Sequence, residues 1–128
     1  MTFLGSLSHA LLLALAGGIG TLGRIGLNLL VSRLCGVGFP WGTLAANVIG
    51  SCAFGAIVGA VRSRGPWPNG IETVLMVGVL GGFTTFSSYA FQSLEMLEAG
   101  RPLAALAYGL CTNLIGLTAV WIGLRLAS

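Results

Sequence analysis

The 128-residue sequence contains no lysine and no aspartate. Its basic residues are six arginines (Arg24, Arg33, Arg62, Arg64, Arg101 and Arg125), and its acids are Glu72, Glu95 and Glu98. Charged residues make up 7% of the chain against 55% hydrophobic ones, with a mean hydropathy of +0.96. A domain of this length with so few polar side chains has too little polar surface to cover its own core, so lipid must cover part of it. A soluble domain is thereby excluded. The formal net charge of +3 is small and scattered, whereas a nucleic-acid partner calls for a concentrated basic face. Cysteine is scarce as well. Cys35, Cys52 and Cys111 are odd in number and match no metal-ligand spacing, so they read as small buried hydrophobes. The nine residues before the first apolar run carry no Lys or Arg. That run lacks the charged start of a secretion signal and reads as a permanent span.

Apolar runs dominate. A helix needs ~20 apolar residues to cross a hydrocarbon core of ~30 Å, and four such runs occur, at about 8–31, 41–61, 71–97 and 102–126. Loops rich in glycine, proline and arginine separate them, the clearest being Arg62-Ser-Arg-Gly-Pro-Trp-Pro-Asn-Gly70. Trp41, Trp67 and Trp121 fall near predicted span ends, as interfacial tryptophans do. The expected architecture is a single all-α transmembrane domain of four spans. Orientation is barely specified. One side would carry Arg62, Arg64 and Arg125 and the other Arg33 and Arg101, almost no asymmetry for the positive-inside rule to act on. Such a chain either takes one orientation set by a small bias or inserts both ways and forms an antiparallel homodimer.

The 21 glycines would weaken helices in water, but in a bilayer small residues let backbones approach closely. Gly109, Gly116 and Gly123 form a stripe on the fourth span, Ser51, Gly55 and Gly59 a ladder on the second, and Gly17, Gly20, Gly23 and Gly26 recur on the first. Each is a packing surface, within one subunit or between two.

The third span is interrupted. A largely apolar segment of ten residues, 71–80, makes about 15 Å of helix and reaches roughly the bilayer midplane. There it meets Gly81-Gly82-Phe83-Thr84-Thr85-Phe86-Ser87-Ser88. Paired glycines and a hydroxyl-rich stretch both weaken a helix, and non-helical backbone at that depth survives only inside protein or beside water. Broken midplane helices hold cations on carbonyls and anions on half-helix N-termini. The alternative is a continuous helix whose Ser and Thr bond back one turn. Asn47, with Ser51 one turn on, either donates to an anion or bonds a neighbouring helix. Arg24, deep in the first run, marks an ion path or snorkels to the interface, and no acid in the first two spans can pair with it. Tyr108, Thr112, Asn113 and Thr118 form a candidate polar track on the fourth span, equally explained as helix–helix hydrogen bonding.

Three motifs now stand in register: Gly17-x-x-Gly20-x-x-x-Arg24, Gly42-Thr43-Leu44-x-x-Asn47-x-x-Gly50, and 81–88 as above. Along essentially the whole chain they resemble the Fluc/CrcB fluoride channels. That resemblance implies a channel and not an enzyme: an antiparallel, dual-topology homodimer in a bacterial inner membrane, with two pores that let fluoride out passively and lower its cytoplasmic level. It also implies a structural sodium ion at the dimer centre on backbone carbonyls, here those of Gly81 and Thr84. The family's pore asparagine falls on Asn47, its vestibule arginine on Arg24, and the first of two pore phenylalanines on Phe86. Thr85, Ser87 and Ser88 add hydroxyl donors for a dehydrated anion, and aromatic rings offer positive edges. The chain departs from the pattern at the second pore phenylalanine, which is Tyr89, and three residues further on at Gln92, often Glu in the family. Leu117 follows Gly116 where serine is common. A proton-coupled small multidrug exporter is the competing transporter reading, but it needs a carboxylate in the first span, where none occurs. A non-transporting scaffold would leave the midplane break and Arg24 without a task.

Overall fold

The computed structural model describes residues 7–128, and all regular structure among them is helical. α1 spans Leu7–Cys35 and α2 spans Trp41–Arg64. After a short turn at Pro68–Gly70 comes α3, residues 71–83, then α4 at Phe86–Glu98 and α5 at Pro102–Ala127. α3 and α4 are two halves of one span. Four segments (Leu7–Cys35, Trp41–Arg64, Pro68–Glu98 and Pro102–Ala127) are long and apolar enough to cross a membrane. The chain is a multi-pass membrane protein.

The helix ends follow from local chemistry. α2 stops at Gly65, whose φ of 86° lies in the left-handed region glycine tolerates. At the end of α4 the Gly100 N–H donates to Leu97 O at 3.0 Å and the Arg101 N–H to Met96 O at 2.8 Å. This paired arrangement, with Gly100 at φ 70°, satisfies carbonyls the helix leaves over. Pro102 then opens α5, where its missing N–H costs nothing.

Spans two apart lie side by side and run in the same direction. α1 packs on α3 with backbone on backbone: a Cβ on Gly82 would collide with the Gly17 carbonyl, and one on Gly20 with that of Val79. α2 packs on α5 in the same manner, with Gly55 against Val120 O, Gly59 against Leu124 O and Gly123 against Cys52 O. Gly116 faces Ser51, and Gly109 faces the Tyr89 hydroxyl. The glycine stripes of the second and fourth spans are therefore internal packing surfaces of one subunit. Close approach of this kind replaces the hydrophobic drive that lipid cannot supply between helices.

A small core of Leu44, Met96 and fully buried Tyr108, flanked by Phe39, Val48 and Tyr89, ties α2, α4 and α5 together. Large apolar side chains such as Leu15, Leu22, Leu29 and Leu117 point outward, as the lipid-facing side of a membrane bundle requires.

The interruption is narrower than the eight residues expected from sequence. Gly81–Phe83 remains helical, and helix resumes at Phe86. Only Thr84 (φ −83°, ψ 160°) and Thr85 (φ −153°, ψ 116°) are extended. Of the paired glycines, Gly82 serves the contact with α1, where a Cβ would meet the Gly17 carbonyl. Upstream, Val74–Leu80 is wound as a π-helix, a rare form that recurs at functional sites.

Candidate functional site

The break is held from both sides. On one side Asn47 of α2 grips Thr85: its Oδ1 accepts from the Thr85 N–H at 2.8 Å, and its Nδ2 donates to Thr85 O at 3.1 Å. An amide has two N–H bonds, so one remains for another acceptor. Of the two readings left open by the sequence, the interhelical bond is present, and it leaves a donor over. On the other side the Arg24 Nε donates to Gly82 O at 3.2 Å, beside the Thr21 hydroxyl at 3.5 Å from the same oxygen. Arg24 thus finds a carbonyl partner in place of a carboxylate.

In a continuous helix each carbonyl at the end of α3 would accept from the amide four residues on. Leu80 O still accepts from the Thr84 N–H and from the Thr84 hydroxyl, both at 2.9 Å. Gly82 O is taken by Arg24 and Thr21. The Thr85 N–H that would serve Gly81 O is turned to Asn47. Gly81 and Thr84 therefore present their carbonyls on extended or helix-terminal backbone, next to a cleft of about 370 Å³.

That cleft joins α2, the break and α5. Asn47, Gly81, Thr84, Thr85, Phe86, Tyr89, Thr112 and Asn113 all line it, as does Ser51. The Phe86 and Tyr89 rings lie with centroids 5.7 Å apart, and Phe86 is 78% exposed on the single chain. The Thr112 hydroxyl is buried without a hydrogen-bond partner among the described residues. Thr85 caps α4, its Oγ1 accepting from the Ser88 N–H at 3.2 Å and donating to the Ser88 hydroxyl at 3.0 Å. Ser87 lies 3.4 Å from the same oxygen. Ser87 and Ser88 thus support the cap but do not line the cleft.

The four residues of the fourth-span track separate. Thr112 and Asn113 reach the cleft, although Asn113 spends its amide on Gly109 O at 2.8 Å. Thr118 is exposed and bonds Leu114 O at 2.8 Å, a back-bond within its own helix. Tyr108 turns inward, its hydroxyl donating to Gln92 Oε1 at 2.9 Å. Gln92 Nε2 in turn donates to Thr43 Oγ1 at 3.1 Å.

This Tyr108–Gln92–Thr43 chain is a connection the sequence reading did not assemble. Its Thr43 and Gln92 border a second cleft, of about 480 Å³, together with Asn28, Trp41, Glu95 and Arg101. Aromatic edges follow the same course, with Tyr89–Tyr108 centroids at 5.1 Å and Phe39–Tyr108 at 5.3 Å. One signal was available. Thr43 is a polar residue in an apolar run, and here it is 3% exposed.

A family model described as "CrcB-like protein, Camphor Resistance (CrcB)" matches residues 11–124. A fluoride-specific ion channel FluC of Nitratidesulfovibrio vulgaris is 42% identical over 113 residues, covering 88% of this chain and 91% of its own. One of Thermus thermophilus is 41% identical, covering 91% and 92%, and one of Chelativorans sp. is 41% identical, covering 93% and 95%. With the family model reaching through all four spans, and with relatives above 40% identity along nearly their full length, this chain belongs to the CrcB family.

Proposed function

We propose that the protein is a fluoride-selective channel of the bacterial inner membrane, through which fluoride leaves the cytoplasm down its gradient. The observation that carries this reading is the cleft at the break, which Phe86 and Tyr89 line together with Thr112 and with Asn47, whose amide keeps one N–H spare. Fluoride is small and strongly hydrated, so a pore has to replace its water with closely spaced donors. Ring edges are positive, and the amide and hydroxyl donate. No carboxylate lines this cleft, so no formal negative charge there repels an anion. Tyr89 keeps the aromatic edge and adds a hydroxyl. Gln92 keeps a donor where a glutamate would bring charge.

The same cleft fits a central sodium ion. A hard cation without carboxylate, His or Cys ligands takes carbonyl oxygens, and no cluster of three such side chains occurs among the described residues. Gly81 and Thr84 would hold it through the carbonyls that the break sets free. One chain offers two oxygens, too few to replace a hydration shell, and a second copy related by a two-fold axis would double them. This favours an antiparallel homodimer closed around the cation, with Phe86 covered at its interface and one pore on each side. When bound, the ion supplies positive potential close to the anion route.

The test is efflux from liposomes containing purified protein, fluoride against chloride. Fluoride should leave faster than from empty vesicles while chloride stays. Equal loss of the two ions, or none of either, would overturn the reading.

A further inference from the structure

Arg24 sits deep in a membrane span, is half-buried, and has no acidic partner among the described residues. Its single hydrogen bond among them runs from Nε to Gly82 O at 3.2 Å. That carbonyl lies between the two assigned to the cation, Gly81 and Thr84, and loses its own amide partner because helix restarts at Phe86. An unsatisfied carbonyl at this depth is costly. Left free, it would turn toward the nearest positive charge, carrying the Gly82–Phe83 peptide plane and its neighbours with it. Thr21 contributes only a long contact of 3.5 Å to the same oxygen and makes its shorter bond, 3.0 Å, to Gly17 O. The tie therefore rests on Arg24. A positive charge beside a cation site opposes binding there, so attraction of charge does not explain the placement toward the cation.

We propose that Arg24 is a positioning residue. Its Nε anchors Gly82 O, which fixes the end of α3 and thereby aims the Gly81 and Thr84 carbonyls at the cation. The inference rests on the central-sodium reading above. It differs from a role in drawing anions inward, because there the charge does the work and here the donor at the ε position does.

Two substitutions separate these roles by simple bond counting. Glutamine carries its amide nitrogen the same number of bonds from Cα as the arginine Nε, so Arg24→Gln keeps the donor and drops the charge. Lysine carries carbon at that position, so Arg24→Lys keeps the charge and drops the donor. The readouts are the sodium concentration giving half-maximal fluoride flux in liposomes and the sodium-dependent rise in melting temperature of the purified protein. Both are compared with the values at saturating sodium.

Arg24→Gln should stay within about threefold of the unsubstituted protein in sodium requirement. Arg24→Lys should need about tenfold more sodium, the loss expected for a hydrogen bond to a charged donor, with melting restored at saturating sodium. The reverse ranking, equal loss in both variants, or no change in either would overturn the proposal. Absence of any sodium dependence in the unsubstituted protein would instead remove the cation reading on which it stands.

Discussion

At the scale of single residues, the site is built by side chains bonding to backbone. Asn47 imitates a strand partner for Thr85, making both bonds that an extended residue offers, and so stabilises two residues of open chain inside a membrane. The Thr85 hydroxyl then starts the next helix, the familiar task of an N-cap. Phe86, the first helical residue, is left pointing out of the subunit. A side chain that exposed on one chain contributes little to that chain's packing, which separates its proposed transport role from folding. Phe86→Ile should keep the purified protein folded and dimeric by size-exclusion chromatography while fluoride efflux falls at least a hundredfold, because an aliphatic side chain lacks the positive ring edge. Efflux at the unsubstituted rate would place the pore elsewhere. The sequence pointed to Asn47, Phe86 and Tyr89 as candidates. It did not pair Asn47 with Thr85 or Gln92 with Tyr108, because contacts across 38 and 16 positions depend on how the spans lie together.

At the scale of elements, backbone contact between helices sets the limits. α1 and α3 meet where Gly82, set against the Gly17 carbonyl, leaves no room for a side chain, and that contact lies next to the carbonyls of the break. Gly82→Ala should therefore lower stability by about 1–3 kcal/mol or more, as overpacking does, and should be visible as a lower melting temperature in detergent. Gly18→Ala, with open space around the added carbon, should melt like the unsubstituted protein. Equal melting of the two variants would mean that α1 and α3 do not pack through Gly82. Span number and approximate limits were legible because hydropathy is a property of a window and needs no neighbour. The site of the break was legible from Gly81 to Ser88, but its extent was not. Glycine pairs signal either flexibility or close approach, and only the position of α1 decides that Gly81–Phe83 stays helical. The same ambiguity attended the fourth-span stripe, which faces α2 and Tyr89 within the subunit.

At the scale of the whole molecule, two parallel pairs of spans, α1 with α3 and α2 with α5, share a common centre at the break. On the reading proposed above, the cleft there would offer half of a cation site and one exposed phenylalanine, and a second copy would complete both. An antiparallel dimer needs chains of both orientations, which the near balance of arginines on the two sides permits. Reporter tags fused to the C-terminus in cells should therefore be found on both faces of the membrane in comparable amounts. A tag confined to one face would exclude the antiparallel form. The pairing of alternate spans also bears on how the protein is made. A ribosome releases α1 and α2 first, yet the Gly55 and Gly59 face of α2 has nothing to close on until α5 has entered the bilayer. A nascent chain halted after Gly100 is thus inserted but unassembled, with bare backbone on α2 open to membrane proteases. Synthesis of α5 is what converts an inserted chain into a stable one.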